Sequence, residues 1–360
     1  MQIRTIGIGI AGTTWKGKVL AIKCANASGS PVINAVASGL MYAADNGART
    51  INLSLSTPSN SITLRNAIDY AYNKGCVITA SSGNDGVNKV PYPAAYPNVI
   101  AVGASPNGTD RASWSNYGPE LDVLAISKFY TVQHTSYMGM EGTSFSAPQV
   151  AGLSALLLSI DSTLNPDQVK QYIIDGAAGD GSWVNNEVGY GFINFQKSIE
   201  LLLADMEETN EIEEIVNNKY EVEIVNGVSY ITDIKEETTR ETIEQNLNLP
   251  VKYIIEIKNT NGNILTDTQY VGTGSTITIK NQSNEILKSY TVIVKGDVTG
   301  DGVINFIDIV RLTQYVYEPE ENFEWKEEIR RAGRVVESIG NPGFADIMLI
   351  IRYVYEGVMW

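Results

Sequence analysis

The first two hundred residues predict an α/β fold built on a parallel sheet, and three observations carry that prediction. Short apolar runs at Val19–Lys23, Thr50–Leu53, Val77–Ala80 and Val99–Val102 alternate with helix-like stretches at Pro31–Asp45 and Ser61–Lys74. Strand and helix in alternation imply parallel strands joined by crossover helices. The helix-like stretches stop at Asn46–Gly47 and Lys74–Gly75, as a helix does at a glycine. A longer helix should run from about Ser144 to Ser159, with small residues Ala147, Ala151, Gly152 and Ala155 suited to close burial. Another should begin after Asn165, with Pro166 in its first turn.

Charge divides the chain. Residues 1–200 hold 12 basic and 13 acidic side chains, whereas residues 201–360 hold 14 and 28. That asymmetry argues for two kinds of domain and against nucleic acid as a partner. A single histidine, His134, excludes a multi-histidine metal cluster, and two cysteines exclude a disulfide scaffold or a four-cysteine zinc site. Cys24 and Cys76 each sit in an apolar, strand-like run; buried thiols are the plain reading, with a disulfide between them left open. No segment reaches the length of a membrane span. The opening MQIRTIGIGIAG is broken by glycines and lacks the apolar core of a signal peptide, so no export signal is expected in the chain as written.

The composition changes again beyond residue 200. Residues 203–218 (LADMEETNEIEEIVNN) read as an acidic helix or linker, and a domain boundary is expected there. YEVEIV, VSYITDI, VKYIIEIK, STITIK and YTVIVK then alternate polar and apolar side chains, so residues 219–295 read as a small α+β, β-rich spacer with one helical insertion at Thr238–Asn248. Residues 296–360 contain a repeat. DIVRLTQYVYE (Asp308–Glu318) and DIMLIIRYVYE (Asp346–Glu356) are offset by 38 and identical at six of eleven positions. A duplicated loop–helix unit points to a pair burying one core.

The first copy opens on a twelve-residue loop, Asp297 to Asp308. Asp297, Thr299 and Asp301 occupy positions 1, 3 and 5, and Gly302 the sharp turn at position 6. Val303 offers a backbone carbonyl at position 7; Asn305 and Asp308 follow at 9 and 12. Hard oxygens at these spacings suit one Ca²⁺ of six or seven coordination. In the second copy Val335 and Ile339 stand at positions 1 and 5, and only Glu337, Gly340 and Asp346 survive, so one calcium is expected. A calcium loop ending in Asp, an exit helix ending in Tyr-Val-Tyr and a second copy resemble the dockerin family over residues 296–360. The resemblance implies an α-helical dockerin with paired calcium loops and a cohesin domain as partner. The family's partner-choosing positions 10 and 11 fall here on Phe306–Ile307 and Phe344–Ala345, apolar pairs that suit either an interface or a core.

In GTSFSAPQVAG (Gly142–Gly152), Ser144 precedes the predicted helix. It could cap that helix, or stand exposed as a nucleophile beside free N–H groups. SSGNDG (Ser81–Gly86) follows the run Val77–Ala80 and puts Asn84 at a strand end, where catalytic side chains gather in parallel α/β proteins. With GIAGTTWKGKVLAIK, INLSLS, YPAAYPNVIAVGA and GYGFINF in order, these segments resemble the subtilisin-like serine proteases through most of residues 6–200. The resemblance implies a parallel sheet with helices on both faces, incomplete in this chain, over residues 1–202. It makes Ser144 the nucleophile and Asn84 the side-chain donor to the oxyanion. Ser54, Leu55 and Ser56 would pair with an extended peptide substrate, and Ser81, Ser82 and Gly83 would line the pocket before the cut. Ser56 replaces a common Gly, and Gln149 a frequent non-catalytic His.

The family's triad Asp and its His-Gly-Thr-His motif are not found in the sequence, and His134 does not match the family's base. The expectation is a serine endopeptidase domain truncated at its N-terminus, inactive alone, tethered by a dockerin to an extracellular or cell-surface scaffold. The alternative is a non-catalytic, dockerin-bearing peptide binder.

Overall fold

The computed structural model describes residues 12–14, 16–133, 136–178, 184–317, 326–333, 342–343, 345–347, 349–350 and 354. The chain forms two compact units, residues 1–204 and 205–360. The helix spanning the boundary, Phe195–Asn217, includes the acidic stretch predicted as a helix or linker.

In the first unit, α1 (Ile33–Asp45) leads to β1 (Thr50–Leu53), α2 (Ile62–Asn73), β2 (Val77–Ser81), β3 (Ile100–Ser105) and β4 (Val123–Ile126). The four strands make a parallel sheet in the order β1-β2-β3-β4, with Thr50 opposite Val77 and Val102 opposite Val123. Local chemistry sets the helix ends. Ser61 accepts the Leu64 N–H as N-cap of α2, and Gly75, at φ +87°, lets the chain turn into β2.

Every residue of β2 is buried, because both faces are covered. Ile78 and Ala80 join Leu40, Leu64 and Ile68 of α1 and α2 in one core. The alternate residues Val77, Thr79 and Ser81 point to the other face. There α3 (Thr143–Ile160) packs across all four strands and α4 (Pro166–Ala178) packs against α3 and β2; α5 (Phe195–Asn217) follows in the chain. Contrary to the sequence expectation, α3 is long and apolar enough to cross a membrane; Val150, Leu153 and Leu157 are fully buried in this unit.

Two further expectations need correction. Val19–Lys23 is not a strand: it has no ladder partner among the described residues, and Val19 is 74% exposed. A strand exists only through its neighbours' hydrogen bonds; here Ile22 and Cys24 pack instead at Gly39 of α1. Of the loop-like YTVQHTSYMG, the described residues pair antiparallel, within β5 (Lys128–Gln133) and β6 (Ser136–Glu141); His134 and Thr135 lie outside the described residues. Cys24 and Cys76 are free thiols, each bonded to a backbone carbonyl.

The second unit carries a five-stranded sheet of β7 (Val222–Val225), β8 (Val228–Ile231), β9 (Ile254–Lys258), β10 (Thr276–Lys280) and β11 (Ile286–Val292). Its order is β7-β8-β11-β10-β9, mixed because β8 and β11 run parallel. Ile212 and Val216, near the C-terminal end of α5, are buried with Ile257, Ile277 and Tyr290. α6 (Arg240–Leu247), capped by Thr239, adds Ile243 and Leu247 to that core.

After the sheet come α7 (Phe306–Tyr317) and α8 (Glu327–Gly333). The sequence repeat has a physical counterpart. Ile309 and Leu312 share one buried cluster with Ile347 and Ile350, their equivalents at offset 38. Asp308 Oδ2 accepts the Asn305 N–H, and Asp346 Oδ2 accepts the Gly343 N–H, again at offset 38. Val335, Glu337, Ile339, Gly340 and Phe344 lie outside the described residues. Leu312→Ala and Ile350→Ala should each lower the second unit's stability by roughly 2–5 kcal/mol. Urea denaturation of the single and double variants should show non-additive losses, since the two side chains share one cavity.

Candidate active site

The nucleophile candidate sits where the ends of β1 and β2 meet the start of α3. The helix begins at Thr143, with Gly142 in the cap position and no side-chain cap. Ser144 is therefore inside the first turn, half-buried, and its hydroxyl does not cap the helix. Thr143 donates from both its backbone N–H and its hydroxyl to Asn84 Oδ1, at 3.0 and 2.8 Å. An amide bonded through its oxygen must present its NH₂ elsewhere. Asn84 is exposed, so that NH₂ group is available beside the free N–H groups at the helix start.

Neighbouring residues lock this corner. Pro148 has no N–H, so the Ser144 carbonyl four residues earlier lacks its helical donor. The Ser54 hydroxyl supplies one at 2.8 Å, and Asn52 Nδ2 in turn donates to Ser54 Oγ at 3.0 Å. Ser146 Oγ donates to the carbonyls at the end of β4, both at 3.1 Å, and Gln149 Nε2 donates to the Ile126 carbonyl at 2.7 Å.

The SSGNDG loop is braced by Asn116. Its backbone N–H donates to the Gly83 carbonyl at 3.0 Å, and its buried Oδ1 accepts from the Asp85 N–H at 2.8 Å and the Val87 N–H at 3.3 Å. Gly83 is required at φ +96°: a Cβ there would lie 2.4 Å from Asn116 Nδ2. Sequence reasoning does not single out Thr143, Asn116 or Asn52; Thr143 and Asn52 lie inside the quoted segments GTSFSAPQVAG and INLSLS, whereas Asn116 is 31 positions from Asp85 and carries no such signal.

The predicted substrate positions divide. Ser54 and Ser56 are exposed and Leu55 half-buried, on an extended segment beyond the end of β1. Thr57 closes that segment by exchanging backbone hydrogen bonds with Tyr92 at 2.7 and 3.0 Å. Ser81, Ser82 and Gly83 are buried, and the Ser82 hydroxyl turns inward to the Asn116 carbonyl at 3.2 Å, so this wall presents little surface.

His134 lies outside the described residues. The half-buried Asp122 carboxyl is raised by desolvation, while Lys170 at 2.8 Å opposes the shift.

The sequence of the first unit is similar to that of known proteins. The Subtilase family profile matches residues 4–191. The chain belongs to the subtilase family. Subtilisin DY from Bacillus licheniformis is 40% identical over 194 residues, which cover 52% of this chain and 70% of that protein. Thermitase from Thermoactinomyces vulgaris is 43% identical over 153 residues, 42% of this chain and 55% of that protein. M-protease from Shouchella clausii (strain KSM-K16) is 36% identical over 189 residues, 52% of this chain; the chain spans 49% of its length.

The second unit holds the predicted calcium loop. Asp297 and Asp308 are fully buried and have no basic partner among the described residues. Asp297 Oδ1 accepts from Gly300 N–H at 2.6 Å and Thr299 Oγ1 at 3.3 Å; Oδ2 accepts from Gly302 N–H at 3.0 Å. Asp308 accepts from the N–H groups of Val298, Thr299 and Asn305 at 2.8 to 3.0 Å. Desolvation pushes Asp297 up to about 6, assisted by nearby Asp308, and desolvation also raises Asp308. Among the described residues no three carboxylate, thiol or imidazole groups converge on one point. The donor chemistry nonetheless fits a hard cation: buried acids without a countercharge are the groups that bind one.

Phe306 and Ile307 are 57% and 59% exposed and Ala345 is exposed, so the first pair does not pack in a core. Asn116→Ala should speed hydrogen exchange of the Asp85 and Val87 amides at least tenfold by mass spectrometry. It should lower the first unit's stability by roughly 1–3 kcal/mol, because it strips the acceptor from partly buried donors.

Proposed function

We propose that this chain carries the nucleophile side of a subtilisin-type serine endopeptidase and docks onto a cohesin through a calcium-dependent dockerin. The observation that carries the peptidase reading is the pair of bonds from Thr143 to Asn84 Oδ1, which leaves the Asn84 amide facing outward next to Ser144. Ser144 Oγ would attack the scissile carbonyl carbon. The carbonyl oxygen, gaining negative charge, would accept hydrogen bonds from Asn84 Nδ2 and the Ser144 N–H. An extended peptide would add as a strand along Ser54, Leu55 and Ser56, whose backbone lies outside the described sheet. Pocket residues Ser81, Ser82 and Gly83 would contact the residue before the cut through limited surface.

Attack requires that the serine proton be taken up. The sequence has one histidine, His134, and it does not match the family's base. In subtilisin itself, the reference case for this arithmetic, loss of the histidine alone lowers turnover about 10⁶-fold. The chain by itself is therefore a silent peptidase. The non-catalytic reading, a peptide-gripping remnant, is supported by the same missing base. A fluorophosphonate probe separates the two. No labelling is expected from the chain alone. Adding the Asp- and His-bearing segment of a subtilisin as a separate polypeptide should raise labelling of Ser144, absent in Ser144→Ala. Silence under both conditions overturns the peptidase reading and leaves the binder.

In the second unit, one Ca²⁺ would be held by Asp297, Thr299, Asp301, the Val303 carbonyl, Asn305 and Asp308, neutralising the buried charge of Asp297 and Asp308. Phe306, Val310 and Tyr317 fall on one side of α7 and are exposed, an apolar stripe suited to a cohesin partner. This arrangement suits an extracellular or cell-surface scaffold. Pull-down by a cohesin should be lost with a calcium chelator and with Asp297→Ala; retention under both would refute the docking reading.

A further inference from the structure

The calcium loop does not stand by itself. Two stretches of the β-rich module close around it. Thr273 N–H donates to Asp297 Oδ2 at 2.9 Å. The Glu237 N–H donates to the Gly302 carbonyl at 2.8 Å. Glu236 Oε2 accepts the Ile304 N–H at 3.1 Å. The backbones also touch: a Cβ at Gly272 would lie 2.3 Å from the Gly300 oxygen and 2.5 Å from the Gly302 nitrogen. Thr273 itself is pinned, because its hydroxyl exchanges hydrogen bonds with the Val294 carbonyl and N–H at 3.1 and 3.0 Å.

From these contacts we infer that Glu236 is a positioning residue of the calcium site, supplied by the β-rich module rather than by the loop. The inference rests on the calcium reading above. The peptide joining Val303 to Ile304 is a rigid trans plane, so its N–H and C=O point in opposite directions. A carboxylate that holds the Ile304 N–H fixes where the Val303 carbonyl points. That carbonyl is the position-7 oxygen of the loop. A charged acceptor on the N–H also polarises the peptide, which makes its oxygen a stronger ligand. The preceding peptide is fixed from the same side, through Glu237 and the Gly302 carbonyl. Outer partners that orient a ligand typically matter 10–100-fold in metal affinity.

The module is thus the outer layer of the site, and calcium affinity is a property of residues 236–308 together. Gly272 has a related part. Its missing side chain lets Gly300–Gly302, the stretch between the position-3 and position-5 ligands and the turn, lie against the module.

Calcium titration of the full chain by calorimetry tests this, with thermal unfolding recorded with and without calcium. Glu236→Ala should weaken calcium binding about tenfold or more. Glu236→Gln keeps an acceptor oxygen and should recover affinity to within a few-fold of wild type. Glu236→Ala should shrink the calcium-induced rise in unfolding temperature more than it lowers the calcium-free value; a merely structural role would lower both together. Gly272→Ala should weaken binding in the same direction. If Asp297→Ala abolishes binding but Glu236→Ala and Gly272→Ala bind like wild type, the inference fails while the calcium reading stands. If the wild-type chain takes up no calcium, the calcium reading fails and the inference falls with it.

Discussion

The two bonds that Thr143 gives to Asn84 Oδ1 are the constraint on which the first unit's chemistry depends. They join the loop after β2 to the start of α3. They also settle the direction of the Asn84 amide, since an N–H and a hydroxyl donating together require an oxygen, and the NH₂ end is left to face outward. The rest of the corner secures that contact. Asn116 holds the loop from one side. Ser54 and Gln149 hold the first helical turn from the other. Pro148 looks like a flaw inside α3, yet it frees the carbonyl through which Ser54 ties the end of β1 to Ser144.

The second unit answers to a different constraint, the enclosure of negative charge. Asp297 and Asp308 are buried side by side, and their described partners are backbone N–H groups and the Thr299 hydroxyl. Backbone dipoles soften that charge but do not cancel it. Both groups are accordingly held above the usual carboxylate range by burial. Two loop ends that carry such groups need something outside themselves to stay in place. Thr273 from the sheet side and the duplicated core of Ile309, Leu312, Ile347 and Ile350 from the helix side provide it.

Local signals proved legible in the sequence where the cause is local. The runs that became β1, β2 and β3 were visible as short apolar segments, and α2 was bounded by its cap and its terminal glycine. Ser144 and Asn84 stood out because each lies in a distinctive segment. Val19–Lys23 misled because an apolar run says nothing about whether a partner strand is present. The β5–β6 hairpin was missed because its pairing, Lys128 with Glu141, is a relation between segments. The residues that orient the sites were illegible for the same reason. Asn116 is 31 positions from Asp85, and Glu236 is 68 positions from Ile304. No spacing rule reaches that far; only the folded chain brings them together.

Magnitudes rank the parts of the first site. In the proposed reaction, a single oxyanion donor in the place of the Asn84 amide would be worth about 3–4 kcal/mol to the transition state. A factor of about 10⁶ from a histidine base corresponds to roughly 8 kcal/mol. The donor arrangement therefore cannot replace the proton acceptor, however well Thr143 and Asn116 align it. What it can do without a base is hold a carbonyl oxygen in place beside an idle hydroxyl. On the proposed reading, the geometry at Ser144 would bind first and become reactive only when a base reaches the serine proton.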